Sequence, residues 1–243
     1  MNKNYFSSIK VTCKVCDMIS QRTMSTAGNS LENFVKNGTK CIGVAANYKS
    51  LLKVLNKPHP KIPDFFIKPL SSYITEGEKI ILPKDFIVNE EIELGIVIGQ
   101  RCKNVTESKA MEYVGGYCIA LDMTAISTLT PARQTGGSWT LSKAFDTACP
   151  VSKFIPKTDI ADPHNVQLWC KVNGKEIQNG NTSDLLFNIP YLVSYISQYI
   201  TLEPNDVIIT GSPPGMGPVK KGDVIEGGIV GGVHIKFEVD EAA

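Results

Sequence analysis

Two carboxylates two residues apart, Glu91 and Glu93, stand in a stretch where Ile92, Leu94, Ile96 and Ile98 alternate with other residues. Period-two alternation marks a β-strand, and side chains at i and i+2 share a face, so Glu91 and Glu93 point the same way. Gly95 and Gly99 fall on that face and are expected to leave room beside the carboxylates. A second apolar run, residues 117–121, leads into Asp122, which is in phase with Ala120, Cys118 and Gly116. Three carboxylates on small-residue strand faces point to a hard-cation site. Crowded carboxylates raise each other's pKa unless a cation sits between them. A lone Glu-x-Glu, by contrast, is most often the solvated face of an edge strand.

Other candidates are weaker on their own. Lys143 is polar among apolar neighbours in the run 139–146, which also suits a lysine at the core edge snorkelling to solvent. Gly211, Gly215 and Gly217 follow a predicted strand, and their N–H groups are able to cradle an anion. The segment lacks the Lys-Ser/Thr that ends a phosphate-binding loop, which argues against a nucleotide. His59, His164 and His234 have neither metal-pair nor triad spacing. Cys13 and Cys16 form a CxxC with no second pair and no nearby histidine, and the seven scattered cysteines fit a reducing compartment.

The elements that must position these residues are mostly short strands. Strands are expected near residues 40–46, 65–69, 79–82, 88–99, 117–122, 207–210, 224–225 and 233–239. A hairpin turning at Asn173-Gly174 starts from 166–172. Helices are expected at 31–36, at 47–55 before Pro58, Pro60 and Pro63, around 107–111, and at 191–200 with Pro190 in the first turn. Pro131, Gly136 and Gly137 suggest that 125–138 is a mobile segment with a short helix. No βαβ alternation emerges, so the fold class is α+β, mostly β.

The 243 residues, 42% hydrophobic with net charge +1, suffice for one sizeable core and give no electrostatic case for nucleic acid. No apolar run is long enough for a membrane helix. Residues 1–30 carry Lys3, Lys10, Lys14 and Arg22 against a single acid, Asp17, with many hydroxyl residues. That is the composition of a mitochondrial transit peptide, with a plain disordered extension as the alternative, and it places one catalytic domain at 31–243 in the mitochondrial matrix, or else in the cytosol.

Six segments in order carry a resemblance. They are Asn47-Tyr48; Phe66-Ile67-Lys68-Pro69 with Ser71-Ser72; Glu91-x-Glu93-Leu94; Tyr113 to Asp122-Met123-Thr124; Trp139-Thr140-Leu141-x-Lys143-x-Phe145-Asp146; and Thr210-Gly211-x-Pro213-x-Gly215-x-Gly217. Together they resemble the fumarylacetoacetate hydrolase family, in its small mitochondrial branch of acylpyruvases, oxaloacetate decarboxylases and oxaloacetate tautomerases. The resemblance implies a mixed β-roll, a homodimer, and Mg²⁺ or Mn²⁺ held by Glu91, Glu93 and Asp122. It implies that Lys143 acts on the substrate's carboxylate or carbonyl. Asn47, Tyr48, Lys68, Thr210 and Gly211 would contact a small 2-oxoacid, as would Gln178 and Thr182 of a further matching segment.

One departure bears on the reaction. Where the acylpyruvase branch places a water-activating His and Glu after Asn-Tyr, this chain has Leu51 and Val54. The Arg that often precedes Asn-Tyr is Ala46, and a Gln of the following loop aligns near Leu129. Cleaving a C–C bond with water needs a general base, which leucine and valine do not provide. Keto–enol tautomerisation of oxaloacetate needs only a chelated 2-oxoacid, stabilisation of an enolate and a proton shuttle, for which Lys143 serves if burial beside the cation lowers its pKa. Tautomerase therefore ranks ahead of decarboxylase or acylpyruvate hydrolase, and a non-catalytic diacid-binding protein comes third.

Overall fold

The computed structural model describes residues 30–243. The Cys13–Cys16 pair and almost all of the basic N-terminal segment lie outside the described residues.

The Ile92–Ile98 strand is buried at all seven positions. A strand buried on both faces belongs in the middle of a sheet, and here it is third of six. The order is Ile155–Pro156, Val114–Leu121, Ile92–Ile98, Val207–Ile209, Cys41–Val44 and Phe65–Lys68. The reading of Glu91 and Glu93 as a solvated edge is thereby excluded. The sheet is mixed, because Cys41–Val44 runs parallel to Val207–Ile209 while the other pairings are antiparallel.

Register then sets the chemistry. Glu93 lies opposite Ala120 and Gly95 opposite Cys118, and the Asp122 N–H donates to the Glu91 carbonyl at 2.8 Å. Directly opposed residues in an antiparallel pair share a face, so all three carboxylates emerge together at one end of two neighbouring strands. Gly95 and Gly99 serve another purpose than the one expected. A Cβ on Gly95 would stand 2.5 Å from Cys118 Sγ, and one on Gly99 2.7 Å from Gly115 Cα. The absent side chains admit a neighbouring strand, not a ligand.

The isoleucine face of the six-stranded sheet packs against a second, five-stranded sheet. Its order is Lys175–Asn181, Gln167–Val172, Val224–Ile229, His234–Glu241 and Lys79–Leu82. Ile92, Leu94, Ile96 and Ile119 meet Leu168, Ile225, Ile235 and Phe237 in one continuous core. The opposite face carries Val97, Cys118, Ala120 and Ile209 in a smaller core with Phe34 and Tyr73. The architecture is the expected strand-rich α+β class, and the two sheets do not close into a barrel.

The Ile189–Tyr199 helix starts one residue before Pro190, with Asn188 capping the Tyr191 N–H at 2.9 Å. Residues 126–135, expected to be mobile with a short helix, form a ten-residue helix that Gly136 ends at φ 69. That left-handed conformation is easily reached only by glycine.

Asp206 staples the sheet. Its buried carboxylate accepts from the backbone N–H groups of Thr39, Lys40 and Glu203 and pairs with the Lys40 ammonium. Removing the carboxylate leaves the Lys40 ammonium and three backbone N–H groups without their acceptor. Because Thr39, Lys40 and Glu203 are partly or fully exposed, water replaces part of the bonding and the cost is about 1–3 kcal/mol. Asp206→Ala is therefore expected to lower the free energy of unfolding by that amount, read from the shift in denaturant midpoint multiplied by the slope, with Asp206→Asn intermediate. Equal midpoints for wild type and Asp206→Ala would contradict the assignment.

Candidate metal centre

One oxygen from each of Glu91, Glu93 and Asp122 lies within 4.8 Å of the others. The three sit at the floor of a cleft of about 230 Å³. Asp122 is held from two sides. Lys68 Nζ stands 2.8 Å from Oδ1 and Lys143 Nζ 2.5 Å from Oδ2. Lys143 also reaches Glu91 at 3.3 Å and donates to Thr124 Oγ1 at 2.5 Å.

The electrostatics follow from burial and crowding. Burial pushes the Glu93 carboxyl well above the ordinary range, and Asp122 and Glu91 push it further, against the Gly211 N–H bond and Lys143. Glu91 is the least buried, with its side chain 18% exposed. It too is raised, by burial first, with Lys143 opposing and Asp122 reinforcing. Burial alone would raise Asp122, but the ammoniums of Lys143 and Lys68 outweigh it and hold the group below the usual aspartate value. In the cation-free cluster, burial alone would lower the pKa of Lys143, but Asp122 and Glu91 prevail and hold it above the ordinary lysine value.

Three carboxylates against two ammoniums leave one net negative charge in a buried, all-oxygen donor set. Hard divalent cations select this chemistry. Glu91, Glu93 and Asp122 fit such an ion.

The other residues singled out in the sequence divide into frame and cleft. Lys68 is fully buried, and besides Asp122 its Nζ donates to the carbonyls of Met123, Lys143 and Ala148. Asn47 ties the Thr210 carbonyl to both backbone groups of Phe187. Thr210 Oγ1 donates to the Leu94 carbonyl, and the Gly211 N–H donates to Glu93 Oε2 at 2.6 Å. A Cβ on Gly211, at φ 102, would meet Asn47 Cβ at 2.8 Å. Gln178 reaches from the second sheet, accepting from the Ile92 N–H and donating to Ser212 Oγ and the Pro213 carbonyl. Thr182 bridges Val166 and Pro163 and does not line the cleft. Tyr48 is buried, its hydroxyl has no hydrogen-bond partner among the described residues, and burial followed by Glu93 raises its pKa. Leu51 lines the cleft, while Val54, the last residue of its helix, is 70% exposed and does not.

Four polar lining residues are not marked as site candidates by the sequence: Asn89, Ser212, Lys57 and Arg133. The one hint for Arg133 is its rarity, since it is one of three arginines in the chain. A second, more open depression of about 390 Å³ lies beside the Phe65–Lys68 edge strand, and Lys143 lines both spaces.

Residues 40–239 match the fumarylacetoacetate (FAA) hydrolase C-terminal family. The chain belongs to the fumarylacetoacetate hydrolase family. Among its relatives is the mitochondrial oxaloacetate tautomerase FAHD1 of Homo sapiens, 44% identical over 216 residues, 88% of this chain and 98% of that protein. The enzyme of the same name from Arabidopsis thaliana is 44% identical over 88% of this chain and 96% of its own length. The crystal structure of fumarylpyruvate hydrolase from Pseudomonas aeruginosa, in complex with Mn²⁺ and pyruvate, shares the fold of this family member. It superposes with a TM-score of 0.79 at 27% identity, over 84% of this chain and 91% of that one.

Burial also raises Glu90, to about 8. With Glu91 and Glu93, it makes the cation-free folded chain hold protons that the unfolded chain has released. In a chelator the melting temperature is therefore expected to fall as pH rises from about 5 to about 8. A saturating divalent cation favours the ionised carboxylates and should flatten that fall. A cation-free melting temperature that rises across the interval would contradict the account.

Proposed function

We propose that the chain is an oxaloacetate tautomerase of the mitochondrial matrix, converting enol-oxaloacetate to its keto form. One observation carries this reading: the cleft joins a carboxylate triad and a buried lysine to an apolar wall where a water-activating base would stand. The names of the relatives support the same reaction and the same compartment.

Glu91, Glu93 and Asp122 would hold Mg²⁺ or Mn²⁺, which when bound would chelate the 2-oxoacid and stabilise negative charge developing on its C2 oxygen. The remaining work falls to the chain itself. In the reaction the enol oxygen loses a proton and C3 gains one. Lys143 Nζ is the buried donor beside the triad, and its ammonium can deliver a proton to C3 and recover one from the enol oxygen. Lys68 keeps Asp122 ionised and in place. The Gly211 N–H orients Glu93, and Asn47 and Gln178 fix the loop that carries it. Leu51, Leu55, Ile126 and Met216 line the cleft with apolar surface and offer no base to water.

The test compares two reactions on one Mg²⁺-saturated preparation. Loss of a positioned base typically costs about 10² to 10⁴ in rate, so acylpyruvate cleavage should be slower than enol-oxaloacetate conversion by at least about that factor. Lys143→Met should lower tautomerase kcat while Mg²⁺ still binds by calorimetry. Efficient acylpyruvate cleavage, or an unchanged kcat in Lys143→Met, would refute the reading. Leu51→His with Val54→Glu is not expected to restore cleavage, because Val54 is 70% exposed and does not line the cleft.

We assign residues 1–30 to import and the remainder to the catalytic domain. A chain beginning at Ser30 should keep its melting temperature and its Mg²⁺-dependent activity, and loss of either would contradict the division. The active form is proposed to be a homodimer. Support comes from the exposed Ile67 on the edge strand and from the stacked Phe187, Tyr191 and Tyr195, ending at the exposed Tyr199.

A further inference from the structure

Arg133 stands in the last turn of the Ile126–Thr135 helix and lines the cleft. Among the described residues it enters no ion pair. Its guanidinium lies instead 4.8 Å from the centre of the Trp139 ring. Trp139 packs against Phe66 at 6.1 Å, and Lys143 Nζ stands 4.7 Å from the centre of the Phe66 ring. An aromatic pair thus carries a cation at each end, Lys143 against the carboxylates and Arg133 away from them. Stacking restrains the planar guanidinium and leaves its N–H fork free for a carboxylate, a two-point contact that an ammonium does not make.

Charge gives this cation a task. The inner site holds three carboxylates and two ammoniums, so a divalent ion leaves it with one positive charge in excess. A 2-oxodiacid brings two negative charges. The keto-acid end offsets the excess, and the second carboxylate requires a further cation in the cleft. Lys57 also lines the cleft, but among the described residues no ring or ion pair orients its ammonium.

Resting on the 2-oxoacid reading above, we infer that Arg133 is the specificity-determining residue, receiving the carboxylate remote from the keto-acid end of a four-carbon 2-oxodiacid. It selects diacids over monoacids of the same length. Its neighbours Ile126 and Leu129 on the same helix are apolar and make no such contact.

The test uses the full chain in saturating Mg²⁺, with two ligands matched in size. Oxaloacetate has the second carboxylate, and 2-oxobutyrate has a methyl group in its place. Affinities are measured by calorimetry for wild type, Arg133→Met, Arg133→Lys and Lys57→Met, and turnover of enol-oxaloacetate is followed separately. Removing a charge-assisted contact should weaken oxaloacetate binding by roughly 10- to 100-fold in Arg133→Met. Binding of 2-oxobutyrate should not change, which also reports an intact fold. Arg133→Lys should fall between the two, and Lys57→Met should lose less than Arg133→Met. Equal weakening of both ligands, or an undiminished preference for oxaloacetate in Arg133→Met, would overturn the inference. A wild type that binds oxaloacetate through Arg133 but does not tautomerise it would sustain the inference and sink the assigned reaction. Tautomerisation without any dependence of oxaloacetate affinity on Arg133 would do the reverse. A wild type that binds neither ligand would refute both.

Discussion

Asp122 is buried between two ammoniums, and the rest of the site depends on that arrangement. A carboxylate taken out of water survives as an anion only when it is paired and hydrogen-bonded. Lys68 and Lys143 provide the pairing from opposite sides. The second and third carboxylates of the cluster are not so well provided for, and burial drives both toward the protonated form. The result is a pocket with one settled anion and two unsettled ones. Such a pocket gains free energy from any hard cation able to replace the missing positive charge.

The fold exists largely to hold this imbalance steady. Lys68 comes from the edge strand of the six-stranded sheet, yet its Nζ binds three carbonyls around the segment that carries Lys143. Gln178 comes from the other sheet and fastens the start of the carboxylate strand to the loop after Gly211. Asn47 holds that loop from a third direction. Polar residues that look like substrate contacts in the sequence thus act one step back, on the residues that face the cleft. A small apolar lining, of which Leu51 is part, completes the cleft and limits the chemistry open to water.

Much of this was legible in the sequence, for a definite reason. Strand period is short and strict, so the shared face of Glu91 and Glu93 and the phase of Asp122 follow from counting by twos. Register across strands is not written locally, and the glycines at 95 and 99 were misread because their neighbours, Cys118 Sγ and Gly115 Cα, come from another strand. Helix ends are similarly opaque. Leu51 and Val54 are three apart and would share a helical face, but the helix stops at Val54 and leaves it in solvent. Beyond its rarity, Arg133 carries no signal of its own because Pro131 and the following glycines read as a mobile segment with a short helix, whereas the chain is continuously helical to Thr135.

The central claim is that Glu91, Glu93 and Asp122 form one divalent-cation site whose integrity rests on Asp122. Crystals grown with Mn²⁺ test it directly through anomalous scattering, recorded for the natural chain and for Asp122→Asn. The account predicts a single strong peak among the three carboxylates in the first and its loss in the second. A peak elsewhere in the natural chain, or one of equal strength between Glu91 and Glu93 in Asp122→Asn, would contradict it.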